Sequence, residues 1–105
     1  MFMSMTSPKH FVYVLKCGDM SLYCGYTVDL ERRLAQHRRR EGAKYTRPYK
    51  RHPLCLVAAW EFSSSHEAKR TEYLFKQLTR TQKIALVYSD LNLYKGLRVK
   101  IKTEV

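Results

Sequence analysis

Two short runs dominated by β-branched and aromatic residues, Phe11-Val-Tyr-Val-Leu15 and Leu22-Tyr-Cys-Gly-Tyr26, stand on either side of the turn-forming Gly18-Asp19-Met20-Ser21. So short a connection joins strands most simply as an antiparallel hairpin, which commits the chain to a sheet from its first ordered residues. Gly25 inside the second run weakens a strand and points to a bulge or a close backbone approach. A third apolar run, Leu54 to Phe62, reads as a further, central strand. Between these, Thr27 or Asp29 can cap a helix reaching about Arg40, stopped by Glu41-Gly42, with Leu30 and Leu34 as its apolar stripe. Ser64 and Glu67 have capping-box spacing for a helix to Leu78, and Thr81 can open another over Gln82 to about Tyr88. The basic stretch Leu93 to Val105 reads as a mobile tail or, from the alternation Val99, Ile101, Thr103, an added edge strand. The order β-β-α-β-α-α predicts a small α/β or α+β sandwich. Its expected limits are a disordered leader at 1–9, one domain at 10–90 and a basic tail at 91–105.

Charge narrows the function. In 105 residues, twenty Lys and Arg face nine Asp and Glu, a formal net charge of +11. Such an excess points to nucleic-acid phosphates or an anionic membrane surface as counter-charge. No apolar run approaches the ~18 residues of a membrane span. The first ten residues lack the apolar core of a secretory signal, so a cytoplasmic protein is expected, with nucleoid association compatible with its charge. Three cysteines, an odd number with no Cys-x-x-Cys pair, argue against a disulfide framework or structural zinc and suggest buried, inert thiols.

Helical geometry singles out particular side chains. At ~100° per residue, Arg33 and His37 fall beside the Leu30–Leu34 stripe, whereas Arg32 and Arg39 point to solvent. An arginine there either packs its stem and snorkels or serves a site. On the later helix Ala68, Thr71, Phe75 and Leu78 mark the buried arc and Glu72 lies on its shoulder, where a carboxylate needs an arginine, another cation or a metal. Tyr13 and Tyr23, two of eight tyrosines, fall in adjacent hairpin strands. Most strand tyrosines are core, but a phenol whose pKa is lowered by a cation can take a proton from water. Between Val28 and His52, nine Lys or Arg face Asp29, Glu31 and Glu41, interleaved with Tyr45 and Tyr49. Uniform charge with aromatics placed to stack on bases favours nucleic acid; Arg39, Arg40, Lys44, Tyr45, Arg47, Lys50 and Arg51 are the candidate contacts.

Taken in order, Phe11-Val12-Tyr13, Tyr23-Cys24-Gly25, Asp29-Leu30-Glu31-Arg32-Arg33-Leu34, His37 and Glu72 resemble the GIY-YIG nuclease family. Gly42-Ala-Lys-Tyr-Thr-Arg47 is similar to a stretch of its small stand-alone bacterial members. The likeness covers roughly residues 10 to 87, with Phe11, Val12 and Cys24 departing from the triads' usual glycine and isoleucines.

The resemblance implies a three-stranded antiparallel sheet flanked by helices and a metal-dependent endonuclease that hydrolyses phosphodiesters with one divalent cation, Mg²⁺ or Mn²⁺. It implies catalytic roles for Tyr13, Tyr23, Arg33, His37 and Glu72, with Glu72 the metal ligand and Gly25 structural. Tyr13, relayed through His37, is expected to activate water, and Arg33 to neutralise phosphoryl charge. Nothing encodes base readout, so selection by substrate structure rather than sequence is expected, as in DNA repair or recombination. DNA is the expected partner ahead of RNA, with no membrane, no small-molecule cofactor, and a monomer or weak dimer. The alternative is a non-catalytic nucleic-acid binder on the same scaffold.

Overall fold

The computed structural model describes residues 8–101. The expected leader, save Pro8 and Lys9, and the last part of the tail, with Thr103, lie outside the described residues. Strands β1 (His10–Lys16) and β2 (Leu22–Thr27) form the expected antiparallel hairpin, with Tyr13 opposite Gly25, Val14 opposite Cys24 and Leu15 opposite Tyr23. Its turn places Met20 at φ 72°, and Asp19 Oδ1 accepts the Ser21 backbone N–H at 3.1 Å.

Helix α1 (Leu30–Arg38) is capped by Asp29, whose side chain accepts from Arg32 N at 3.1 Å. It ends sooner than expected. Arg40 takes the left-handed conformation at φ 62°, Arg40 N donates to His37 O and Glu41 N to Gln36 O, both at 2.9 Å. That paired closure is a Schellman finish with an arginine where glycine is usual. Two 3₁₀ turns, Lys44–Thr46 and Tyr49–Arg51, then lead into β3 (Cys55–Phe62), which pairs antiparallel with β1.

Helix α2 (Ser65–Lys76) starts at Ser64, whose hydroxyl accepts Glu67 N at 3.3 Å. The next helix, α3 (Arg80–Val87), is capped by Thr79 and not Thr81, because Thr79 and Gln82 satisfy each other's backbone N–H groups in a full capping box. A short strand β4 (Leu97–Arg98) pairs with β3, so among the described residues the sheet has four strands, not three, in the order β2-β1-β3-β4. An edge strand is added, as one reading of the tail expected, but at Leu97–Arg98 and not over Val99 and Ile101, where the alternation placed it. Arg98 anchors it by donating to the last carbonyls of α3, Leu86 O and Val87 O, and to Val57 O.

The sheet is covered on both faces. Val12, Val14, Cys24, Ala58, Trp60 and Phe62 pack with Ala68, Phe75, Val87 and Leu93 on one side. Tyr13, Leu15 and Ala59 pack with Tyr23, Leu30 and Leu34 on the other. The result is a small α+β sandwich in which α1 and the pair α2, α3 lie on opposite faces. Strand alternation thereby sends Tyr13 and Tyr23 toward α1 and their neighbours Val14 and Cys24 toward α2. Of the cysteines, Cys17 and Cys24 are buried as expected, but Cys55 is exposed because it opens β3 at the rim.

Candidate active site

Four of the expected residues meet on the α1 face. Tyr13 is fully buried, and its Oη lies 2.7 Å from His37 Nε2. Arg33 Nε donates to the same oxygen at 3.4 Å, and Arg33 Nη1 donates to Gln36 Oε1 at 3.0 Å. The Tyr23 ring packs edge-on against His37 at 5.5 Å between centroids and tilts across Tyr13 at 6.3 Å. The helical phase that separates Arg33 from Arg32 is observed: Arg33 is half-buried and Arg32 exposed.

Glycine makes room for this packing. A Cβ at Gly25 would stand 2.5 Å from Tyr13 Oη, so Gly25 marks a close approach and not a bulge. A Cβ at Gly42 would stand 2.5 Å from His37 Nδ1. Gly42, expected as a helix stop and as the start of the family-like stretch, is where the chain passes over the imidazole. Thr46 was not foreseen as part of the site. It is fully buried, and its Oγ1 lies 2.7 Å from His37 Nδ1. Only the likeness of residues 42–47 to a family stretch could have drawn attention to it, since a threonine in a basic loop carries no signal of its own.

The electrostatics of the chain alone run one way. Burial raises the Tyr13 phenol above its ordinary value and outweighs the opposing hydrogen bond from Arg33. His37 is held down at about 4, chiefly by burial and then by the charges of Arg33 and His52, so its imidazole is neutral at pH 7.

Glu72 is not hydrogen-bonded to this cluster. It projects from α2, on the other layer, near Cys24, whose thiol is pushed up to about 12 by burial and then by the Glu72 charge. Its partner is not an arginine but Lys76, with Nζ 3.1 Å from Oε2 one helical turn along. Lys76 shares with Tyr23, Tyr45 and Lys83 the lining of a hollow of about 170 Å³ at the β2 edge. A larger hollow of about 260 Å³ is lined by Tyr26, Thr27, Asp29, Arg32, Arg33 and Gln36. Tyr23 and Arg33 thus give the buried cluster one outlet each.

Among the described residues no three His, Cys, Asp or Glu side chains converge as a metal cage. A lone carboxylate nonetheless suits Mg²⁺ or Mn²⁺, which keep several waters and take one or two carboxylates together with substrate phosphate. Glu72 offers such a carboxylate, and its Oε2 is paired with Lys76 Nζ.

The basic loop braces itself. Tyr45 stacks on Tyr23 at 6.0 Å, and the Arg51 guanidinium covers the Tyr45 ring at 3.9 Å. Arg40 lies 3.5 Å over Tyr49 and donates to Arg47 O, Arg47 donates to Gly42 O, and Arg51 donates to Tyr45 O and pairs with Asp19. Arg39 pairs with Glu41 at 3.2 Å, whereas Lys44 and Lys50 are exposed. Among the described residues no helix is long and apolar enough to cross a membrane.

Comparison with known proteins agrees with this geometry. The GIY-YIG catalytic domain matches residues 9–85. A UPF0213 protein of Limosilactobacillus reuteri is 52% identical over 79 residues, covering 75% of this chain and 82% of the relative. UPF0213 protein YazA of Bacillus subtilis is 42% identical over 101 residues, 96% of this chain and the whole of the relative. The solution structure of UPF0213 protein BH0048 from Bacillus halodurans is 51% identical with a TM-score of 0.51, covering 75% of this chain and 82% of that one. A family model that spans most of the chain, and relatives this similar over most of their own length, show that the chain belongs to the GIY-YIG family, a nuclease superfamily.

Proposed function

We propose that this protein is a metal-dependent endonuclease that hydrolyses phosphodiester bonds in nucleic acid, DNA ahead of RNA, selecting substrate structure rather than sequence. The observation that carries this reading is the buried contact of Tyr13 with both Arg33 and His37, next to Tyr23 at an outlet. A phenol between a fixed cation and a neutral imidazole has a proton to pass and a place to pass it.

In the proposed reaction, water loses a proton to Tyr13 Oη as the Tyr13 proton moves to His37 Nε2. The water oxygen bonds to phosphorus, and the P–O3′ bond breaks with its electron pair on the 3′-oxygen, which takes a proton from solvent. Arg33 binds the phosphoryl oxygens as their charge grows. Tyr23 orients the phosphate, and Lys44, Lys50 and the braced arginines hold the strand backbone. Glu72 would hold one Mg²⁺ or Mn²⁺, which when bound neutralises phosphate charge and steadies the leaving oxygen.

The proposal extends to a role in DNA repair or recombination, in the cytoplasm and as a monomer or weak dimer. The test is incubation with labelled branched, single-stranded and duplex substrates, with and without Mg²⁺ or Mn²⁺. Cleavage that requires the ion, is lost in Glu72→Ala and leaves binding largely intact is the expected result; Glu72→Ala cutting at the parent rate overturns the assignment. A second reading, a binder that does not cut, draws support from the Lys76 ammonium already seated on Glu72.

A further inference from the structure

The hydrogen bonds around His37 can be assigned directions from both ends. At one end, the partners of Tyr13 Oη are Arg33 Nε, which can only donate, and His37 Nε2. The Tyr13 proton therefore has one acceptor, and Nε2 must be bare. At the other end, Thr46 Oγ1 lies 3.1 Å from Ala43 O, a carbonyl that can only accept. A hydroxyl has one proton. Donated to Ala43 O, it leaves Thr46 Oγ1 facing His37 Nδ1 at 2.7 Å as an acceptor, which requires a proton on Nδ1. Both ends give the same neutral tautomer, and no buried side-chain nitrogen or oxygen among the described residues lacks a partner.

The surroundings hold this arrangement in register. Thr46 and His37 are both fully buried, so water does not compete for either ring nitrogen. Thr46 N also donates to Ala43 O, at 3.0 Å, and Thr46 O lies 2.8 Å from His52 Nε2, which pins the 3₁₀ turn on both sides of the hydroxyl. Gly42 lets the chain pass against the imidazole so that this turn can reach it.

We propose that Thr46 is a positioning residue for the cleavage reaction: by donating to Ala43 O and accepting from His37 Nδ1, it fixes His37 as the Nδ1–H tautomer and keeps Nε2 open for the Tyr13 proton. The proposal rests on the reading of Tyr13 as proton acceptor from water. During the transfer Nε2 gains the Tyr13 proton while Nδ1 keeps its own, and the resulting imidazolium stays hydrogen-bonded to Thr46. The wrong tautomer would carry a proton on Nε2 pointing at Tyr13 Oη and would block the transfer, as tautomer-fixing partners of catalytic histidines generally prevent.

The test compares the parent with Thr46→Val, which keeps shape and removes the hydroxyl, and Thr46→Ser, which restores it. Nitrogen NMR of ¹⁵N-histidine-labelled protein reads the tautomer without cleavage, and the pH dependence of kcat on a labelled oligonucleotide reads its consequence. Expected are an Nδ1–H, bare-Nε2 signature for His37 in the parent and in Thr46→Ser, and loss of that preference in Thr46→Val. The kcat of Thr46→Val should fall about tenfold or more with KM unchanged, and Thr46→Ser should recover most of it. An Nε2–H parent overturns the proposal even if Thr46→Val does not fold, as does a folded Thr46→Val with parental tautomer and kcat. A parent with the stated tautomer that cuts nothing overturns the nuclease reading instead, and with it any catalytic role for Thr46.

Discussion

The backbone of Gly25 lies against the phenol of Tyr13 so closely that a methyl group there would stand 2.5 Å from Tyr13 Oη and 2.6 Å from Cζ. Directly opposite each other in the hairpin, the two residues share one space. Tyr13 is fully buried and held by His37 and Arg33, so it can move aside only by giving up those contacts. Gly25→Ala is expected to lower stability by about 1–3 kcal/mol, as overpacking does in a filled core, and to displace the phenol from His37. Urea unfolding gives the first effect and cleavage rate the second; a variant with parental stability and rate would show that the strand gives way freely.

Much of this site was legible in the sequence because period alone places its members. Alternation along β1 and β2 puts Tyr13 and Tyr23 on one face, and the helical repeat puts Arg33 and His37 on the face that meets them. Glu72 on the shoulder of its helix followed from the same arithmetic. The remainder was hidden for physical reasons. Thr46 and Gly42 reach His37 through a loop with no period, and the Glu72–Lys76 pair is one of several spacings open to a surface carboxylate. The raised pKa of Tyr13 depends on full burial, which a half-apolar strand pattern does not disclose. The place of the fourth strand, though not the chance of one, was hidden too: Arg98 is anchored on carbonyls at the end of α3, which the alternation at Val99 and Ile101 does not disclose.

Lys76 competes for the carboxylate proposed to hold the metal. An i,i+4 pair of this kind is worth about 0.5 kcal/mol or less, so Lys76→Met should leave the unfolding midpoint nearly unchanged. Removing a neighbouring positive charge should tighten Mn²⁺ binding on the order of threefold to tenfold at low salt, less at high salt. Electron paramagnetic resonance titration of free Mn²⁺ measures this, with Glu72→Gln as the control that should bind none. Equal affinity in Lys76→Met and the parent would remove Lys76 from the account of metal binding.

Arg33 uses its fork twice, with Nε on Tyr13 and Nη1 on Gln36. A lysine carries the same charge as a point donor and cannot serve both. Arg33→Lys should therefore lower kcat by about a hundredfold, the scale of losing one charge-stabilising donor, with KM changed far less. Steady-state cleavage at saturating substrate checks it. A variant within a few-fold of the parent would mean that charge alone suffices.

The thiols differ in reach. Cys55 is exposed, whereas Cys17 and Cys24 are buried and burial raises both of their pKa values, that of Cys24 to about 12. A thiol reagent at neutral pH should label one cysteine quickly and the other two only on unfolding. Mass spectrometry of the labelled peptides identifies which; rapid labelling of Cys24 would contradict the packing of α2 against the sheet.

Acid should weaken the fold through His37 before it does so through carboxylates. His37 is held down at about 4 in the folded chain, first by burial and then by Arg33 and His52, against about 6.5 for an unfolded histidine. As pH falls through 6.5 the unfolded chain binds this proton and the folded chain does not, so stability is full above 6.5 and declines until about 4, where the folded imidazole also charges. The loss has an upper bound of about 3 kcal/mol. Asp19, held down at about 2 by its hydrogen bonds to Ser21 and its pairing with Arg51, weakens the fold only in a lower window, from about 4 down to 2. Urea unfolding of the parent and His37→Gln at pH 7 and pH 4.5 separates the two, because the variant keeps Asp19 but has no imidazole at position 37 to charge. The parent should lose clearly more stability over that interval than the variant does, and equal losses would mean that His37 is reached by protons at its ordinary pKa.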